Sequence, residues 1–339
     1  MRNKTVVVTG ATGTIGKVLC KRLQERGYHV VVFSRDPEKA GRLVPDMARY
    51  VRWEPAPTGL WESELDGVHA VIHLASAPAF GKRWTHEYKR TLYQSCAIGT
   101  RGIADAIIAA AHKPEVFISA SSIGYYGYNF PSDYAATQLD ENAPAGDDLI
   151  AYINKEWEKE AMQAAELANV RTVLLRTGFL LAPQSGGLPY IVASTKRYMG
   201  GPILPGTQYQ SWIHIDDAVG MILMALEDAQ VHGPVNVVAP QSTTNAQLMK
   251  ALRTVMGRTL GLPTFRVTLR LFMGEAANIL TKGHNVVPRR MQERGYQFQY
   301  PTIEGALRNL LVQDEASSYD NAERRLHSDS SSSTPMRSR

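Results

Sequence analysis

Cysteine is scarce in this 339-residue chain: there are two, Cys20 and Cys96. Two thiols cannot build a disulfide framework, so the pair fits a reducing compartment or plain packing. Long apolar runs are also missing. None approaches the roughly 18–20 residues that a membrane-spanning helix takes, and the first apolar stretch starts at Thr5, which leaves no room for a signal or transit peptide. The expectation is a cytoplasmic protein without a membrane span. A dominant charge sign is lacking too. The formal charge is +5, from 37 basic and 32 acidic residues interspersed along the chain. No basic block argues for nucleic acid, whereas a small anionic ligand is compatible. There is no internal repeat.

What is present begins at once. Thr5-Val-Val-Val-Thr9 is rich in β-branched residues and runs into three glycines at three-residue spacing, Gly10, Gly13 and Gly16, after which Ile15, Leu19 and Leu23 repeat at helical period and Gly27 stands as a C-terminal cap. This reads as strand, tight turn and helix. Such a turn presents backbone N–H groups at a helix N-terminus, where the dipole adds partial positive charge, and residues without side chains let a pyrophosphate approach. Gly10, Thr12, Gly13, Thr14 and Ile15 are therefore the expected cofactor cradle.

The end of the second strand, His29 to Phe33, bears on which dinucleotide binds. Ser34-Arg35 follows it, and an arginine there accommodates the 2′-phosphate of NADP, where an acidic residue would select NAD. Asp36 lies about 20 residues past the glycines, as an NAD-type acid would, yet it precedes Pro37 and a helix-like stretch to Leu43 and so fits an N-cap. NADP is the expected cofactor.

Further strands are expected at Arg49–Trp53, Ala70–Leu74, Val116–Gly127 and Arg171–Gly178, with helices from Thr91 to Ala111 and from Leu149 to Leu167. His73, inside an apolar strand with no ligand-type neighbour at metal spacing, reads as a core histidine, and no metal site is expected. Leu74, Ala75, Ser76 and Gly178 fall at strand ends where backbone passes close to a cofactor. Ser121, Ser122, Tyr125 and Tyr126 are expected at the nicotinamide end of the cleft, since open parallel sheets bind ligands outside the carboxyl ends of their strands. Pro131 to Asp148 reads as a loop. Asp216 is placed to cap a helix from Ala218 to Ala225.

The expected fold is α/β, a doubly wound parallel Rossmann sheet over residues 1–180 with a return segment near 210–240. A smaller, mostly helical substrate-side domain is expected over 181–312, with two or three helices from Asn245 to Leu311. The serine-rich segment 313–339 reads as a disordered tail.

With Thr9-Gly-Ala-Thr-Gly-Thr-Ile-Gly16, Ser34-Arg35, His73-Leu-Ala75, Ser121-Ser122 and Trp212-Ile-His-Ile-Asp-Asp217, the chain resembles the extended short-chain dehydrogenase/reductases of the NAD-dependent epimerase/dehydratase kind. It is similar in particular to an atypical subgroup called epimerase family proteins. That likeness rests on Trp157-Glu158, Gly200-Gly-Pro-Ile203, Val286-Val-Pro-Arg-Arg290 and Gly295-Tyr-Gln-Phe298. The resemblance implies a doubly wound sheet, an NADP-type cofactor and a substrate not established for the subgroup. It also implies a catalytic Ser, carried onto Ser122, and a Tyr with a Lys four residues later on the next helix. That pair departs from the pattern. Anchoring on Glu158 gives Ile150 and Asn154, and a two-residue slide gives Tyr152 and Glu156; neither register has the lysine, although Lys155 lies three residues after Tyr152. A free tyrosine has a pKa of about 10, so about one in a thousand is ionised near pH 7, a deficit of roughly 4 kcal/mol that a nearby ammonium would reduce.

The candidate catalytic residues are thus Ser122, Tyr126 and Tyr152, with Asn154 beside the cofactor. The expected activity is an NADP-dependent oxidoreductase or isomerase acting on a small carbonyl or hydroxyl compound, as a monomer or homodimer. The alternative is a non-catalytic NADP-binding regulatory or redox-sensing protein, and a sugar-nucleotide epimerase is a third reading.

Overall fold

A computed structural model describes residues 4–56, 58–79, 81–128, 137–183 and 185–311. Seven strands form one parallel sheet: β1 Thr5–Thr9, β2 His29–Ser34, β3 Arg49–Arg52, β4 Ala70–His73, β5 Val116–Ser122, β6 Arg171–Thr177 and β7 Gly233–Val237, in the order β7-β6-β5-β4-β1-β2-β3. The apolar runs of the inner strands are buried on both faces, as a parallel sheet between helical layers requires, while the edge strand β3 buries none of its residues. α1 (Thr14–Glu25) packs on one face with Leu19 and Leu23 inward, and α4 (Gly99–Ala109) and α5 (Leu149–Ala168) cover the other. The chain runs outward from β1 through β2 to β3, then returns to place β4 on the other side of β1. The switch point therefore lies between β1 and β4, where such sheets bind ligands.

Between α1 and α5 come α2 (Pro37–Leu43), started by the Asp36 carboxylate accepting from Lys39 N–H at 2.9 Å, and α3 (His86–Tyr93). α3 continues through one π turn, Gln94–Ile98, into α4, so this helical run starts five residues earlier than the periodicity from Thr91 suggests. The strand expected from Val116 to Gly127 stops at Ser122. Ser122 Oγ accepts from Gly124 N–H at 2.9 Å and starts a 3-10 turn, Ile123–Tyr126, which breaks the strand alternation.

The second half adds α6 (Leu188–Lys196), α7 (Ile215–Glu227), α8 (Asn245–Val255) and α9 (Arg266–Met273), then short helices at Asn278–Thr281 and Arg289–Glu293 and a last one over 303–311. The stretch after Asn245 thus holds five α-helical segments, more than the two or three expected, because short amphipathic turns carry little periodicity. β7 lies within the expected return segment. Asp216 is not the cap of α7. The helix starts at Ile215 and the His214 ring accepts from Asp216 N–H through Nδ1 at 3.1 Å, held by stacking on Tyr300 at 3.8 Å. Of the expected 131–148 loop, residues 131–136 lie outside the described residues; beyond them Gln138–Leu139 pairs in parallel with Asn285–Val286. The 313–339 tail also lies outside them. Both cysteines are buried and free, and burial pushes each thiol up to about 12.

Candidate functional site

The carboxyl ends of β1, β4, β5 and β6 open into one cavity of about 460 Å³ at the switch point. β1 leads into it through Gly10, whose φ of +70° and close approach to the Leu74–Ala75 backbone leave no place for a side chain: a Cβ would lie 2.7 Å from the Leu74 carbonyl carbon. Thr9 ties the floor together. Its hydroxyl bonds His73 Nδ1 at 2.8 Å and accepts from Ala75 N–H at 3.1 Å. Burial drives the His73 ring down to about 3, so it is neutral, as a core histidine should be. Among the described residues no three metal-ligating side chains cluster.

α1 begins with no side-chain cap and no acidic residue in its first turn, so its N-terminal dipole faces the cavity uncompensated. Gly10, Gly13, Thr14 and Ile15 line the cavity, as do Leu74, Ser76, Ser122, Asn154 and Gly178. Thr12 and Ala75 do not; Thr12 is half-buried beside the turn, and Ala75 packs toward the sheet's other core. Ser34 and Arg35 stand at the carboxyl end of β2, next to β1 in the sheet and outside the cavity's wall. The Ser34 hydroxyl is engaged with Asp36 backbone at 3.1 Å, while Arg35 is exposed. Asp36 is occupied as the α2 cap.

Two of the three catalytic candidates do not reach the cavity. Tyr126 is fully buried, with its hydroxyl 2.8 Å from Asn236 Oδ1 and 3.0 Å from the Asp140 carbonyl, and burial pushes its phenol up to about 12. Tyr125 lies outside the cavity wall and stacks under the Arg176 guanidinium at 3.5 Å. The 3-10 turn after Ser122 redirects both. Tyr152 is 50% exposed on the outer face of α5, stacked on Tyr93. Ile150, Ile153, Asn154 and Trp157 are the α5 residues that face the cavity, which is the Glu158-anchored register; Lys155 is exposed and points elsewhere. Asn154, at the lysine position, holds the end of β5. Its Oδ1 accepts from Ser122 N–H at 3.1 Å, and its amide donates to the Ile150 carbonyl at 2.8 Å.

Beneath Ser122 lies a buried polar cluster. Ser121 Oγ donates to Glu158 Oε1 at 2.7 Å, and Arg176 donates to both Glu158 oxygens at 2.8 Å. Arg176 Nη1 also donates to the Tyr126 hydroxyl at 3.1 Å and the Glu141 carbonyl at 3.3 Å. Burial works against this guanidinium's charge, but the Glu158 bonds and charge hold it above its ordinary value.

Residues absent from the sequence expectation supply the remaining walls. Tyr128 faces the cavity two residues past Tyr126, and burial, helped by the Asp148 charge, raises its phenol well above the usual range. Lys282, Gly283 and His284 arrive from more than 100 residues away with no motif to announce them, whereas the Gly-Tyr-Tyr-Gly-Tyr128 run could have flagged Tyr128.

The description "NAD dependent epimerase/dehydratase family" matches residues 6–239, and a domain of unknown function (DUF1731) matches 264–310. The chain is 33% identical to the chloroplastic epimerase family protein SDR39U1 homolog of Arabidopsis thaliana, over 91% of this chain and 86% of that one. It is 32% identical to the epimerase family protein YfhF of Bacillus subtilis, over 91% and 98%. The structure superposes on that of human epimerase family protein SDR39U1 (isoform2) with NADPH at TM-score 0.79 and 29% identity, covering 90% of this chain and 98% of that one. UDP-glucuronic acid 4-epimerase of Bacillus cereus shares the fold alone, at 16% identity, TM-score 0.72 and coverage of 91% and 99%. No helix among the described residues is long and apolar enough to cross a membrane. The parallel sheet with its glycine turn, the match over 6–239 and relatives at 32–33% identity together place this chain in the NAD dependent epimerase/dehydratase family.

Proposed function

We propose that the chain is an NADP-dependent oxidoreductase or isomerase of the short-chain dehydrogenase type, acting on a small carbonyl or hydroxyl compound beside Ser122. The observation that carries this reading is one cavity lined both by the glycine turn and by Ser122 and Tyr128. The close backbone approach at Gly10 and the uncapped α1 N-terminus fit a pyrophosphate. Gly10, Gly13, Thr14 and Ile15 would hold it, and Arg35 would meet the 2′-phosphate, as NADPH in the human relative's structure supports. When bound, the nicotinamide supplies or accepts the hydride.

Ser122 Oγ accepts from Gly124 N–H, which leaves its own proton to donate to a substrate oxygen. Tyr128 is the proton donor in place of the absent Tyr-Lys pair. Its raised pKa keeps the phenol protonated, so the acid form persists through neutral pH, and carbonyl reduction should fall only as pH rises past the ordinary tyrosine range. The elements of 181–312 outside the return segment near 210–240 form the substrate side. A binding-only regulatory role has less support, because it leaves the cavity hydroxyls without a task.

In a screen of aldehydes and ketones followed by NADPH absorbance, Ser122→Ala and Tyr128→Phe should each lower kcat by about 10²–10⁴-fold while NADPH affinity holds. Turnover equal to wild type in both variants would refute the assignment. Separately, Arg35→Ala should reduce the preference for NADPH over NADH by about ten- to a hundredfold, from roughly 1.5–3 kcal/mol for hydrogen bonds to a charged group. An unchanged ratio of the two dissociation constants removes Arg35 from phosphate recognition.

A further inference from the structure

The segment that starts at Leu260 carries an unusual surface. α9 (Arg266–Met273) buries none of its residues: Leu269 and Met273 turn toward the body of the protein, while Val267 is 80%, Leu271 71% and Phe272 73% exposed. Phe265 and Leu262 extend the patch, and Met199 borders it. The two strips are joined by backbone bonds, Leu262 N–H to the Tyr198 carbonyl at 2.9 Å and Leu204 N–H to the Thr264 carbonyl at 2.9 Å, so they form one continuous face. An apolar surface of this kind at a helix carrying arginines calls for a partner.

Charge identifies the kind. The patch is framed by Lys196, Arg197, Arg258, Arg266 and Arg270, and Arg258 donates to the Tyr198 hydroxyl at 3.2 Å. No Asp or Glu occurs between Asp228 and Glu275, nor between Glu166 and Asp216, so both strips are free of carboxylates. The same face of a second copy of this chain would bring further cations against these. A helix with exposed Val, Leu and Phe beside arginines, the carboxylate that follows it, Glu275, being paired with Lys89, has the composition of one that lies in the plane of an anionic lipid surface.

We propose that this face docks on an anionic bilayer, with Val267, Leu271 and Phe272 entering the headgroup–acyl boundary and Arg266, Arg270 and Arg258 meeting lipid phosphates. Docking sets the protein beside its own cavity wall. Met273 at the end of α9, with Ala276 and Ile279 just beyond it, packs with Leu92, Cys96, Ile150 and Trp157, the apolar end of the cavity.

Flotation of the full chain with vesicles tests this. The wild type should float with vesicles in which a third of the lipid is phosphatidylglycerol and the rest phosphatidylcholine, and not with phosphatidylcholine alone; high salt should release it. Leu271→Ser with Phe272→Ser, and separately Arg266→Gln with Arg270→Gln, should each weaken binding by about tenfold or more. These side chains are exposed, so circular dichroism and thermal midpoints should match wild type. Absence of flotation with either vesicle, or equal flotation with both, overturns the proposal. So does a concentration-dependent dimer that the Leu271→Ser, Phe272→Ser variant dissociates, since a second copy would then cover the patch.

Discussion

Arg176→Ala is expected to lose about 3–5 kcal/mol of folding stability, the range for removing one partner of a buried ion pair. Both side chains are almost wholly enclosed, and Glu158 would keep only the Ser121 hydroxyl. Three further groups lose a partner at once: the Tyr126 hydroxyl, the Glu141 carbonyl and the Tyr125 ring. Against a usual total of roughly 5–15 kcal/mol, this is a large share. Replacing both charges together, Arg176→Met with Glu158→Leu, should cost less, because no uncompensated charge stays buried. Urea unfolding of the three proteins decides the matter. A single variant within about 1 kcal/mol of wild type would show that this cluster does not hold the sheet's carboxyl edge.

The same cluster explains what the sequence hid. Tyr126 was legible as a hydroxyl near the end of β5, but its direction depended on the 3-10 turn that Ser122 starts, and on Arg176, Asn236 and Asp140, which lie 14 to 110 residues away. Tyr152 looked eligible by its spacing from Lys155. Helix rotation is fixed by Trp157 and Ile153 seeking the apolar cavity, which turns Tyr152 outward. By contrast, the β1 turn and the Asp36 cap were legible because local backbone chemistry determines them within a few residues, and the neutral His73 because it stands inside an apolar strand that the sheet buries. Lys282 and His284 had no such local signal. They reach the cavity through the short pairing of Gln138–Leu139 with Asn285–Val286 and the bond from His284 Nε2 to the Gly127 carbonyl at 2.7 Å, contacts that only the folded chain creates.

Gly16→Ala and Gly13→Ala should separate two uses of glycine in the opening turn. At Gly16 an added Cβ would lie 2.6 Å from Ala11 Cα and closer still to the Gly10 carbonyl oxygen, all backbone, so the first turn of α1 must move away from β1. Overpacking of this kind costs about 1–3 kcal/mol, and the displaced N–H groups should weaken NADPH binding by well over tenfold, roughly the loss of one or two charge-assisted hydrogen bonds. Gly13 differs. Its φ of −74° suits alanine, and a Cβ would meet only the Gly10 oxygen at 3.1 Å, so the fold should tolerate the change. Gly13 lines the cavity, however, and the proposed site brings the pyrophosphate against this backbone. Gly13→Ala should therefore unfold with the wild-type midpoint while binding NADPH at least tenfold more weakly by isothermal titration. Wild-type affinity in Gly13→Ala would mean that the turn uses its glycines for packing alone, and the phosphate site would have to be sought elsewhere along the cavity.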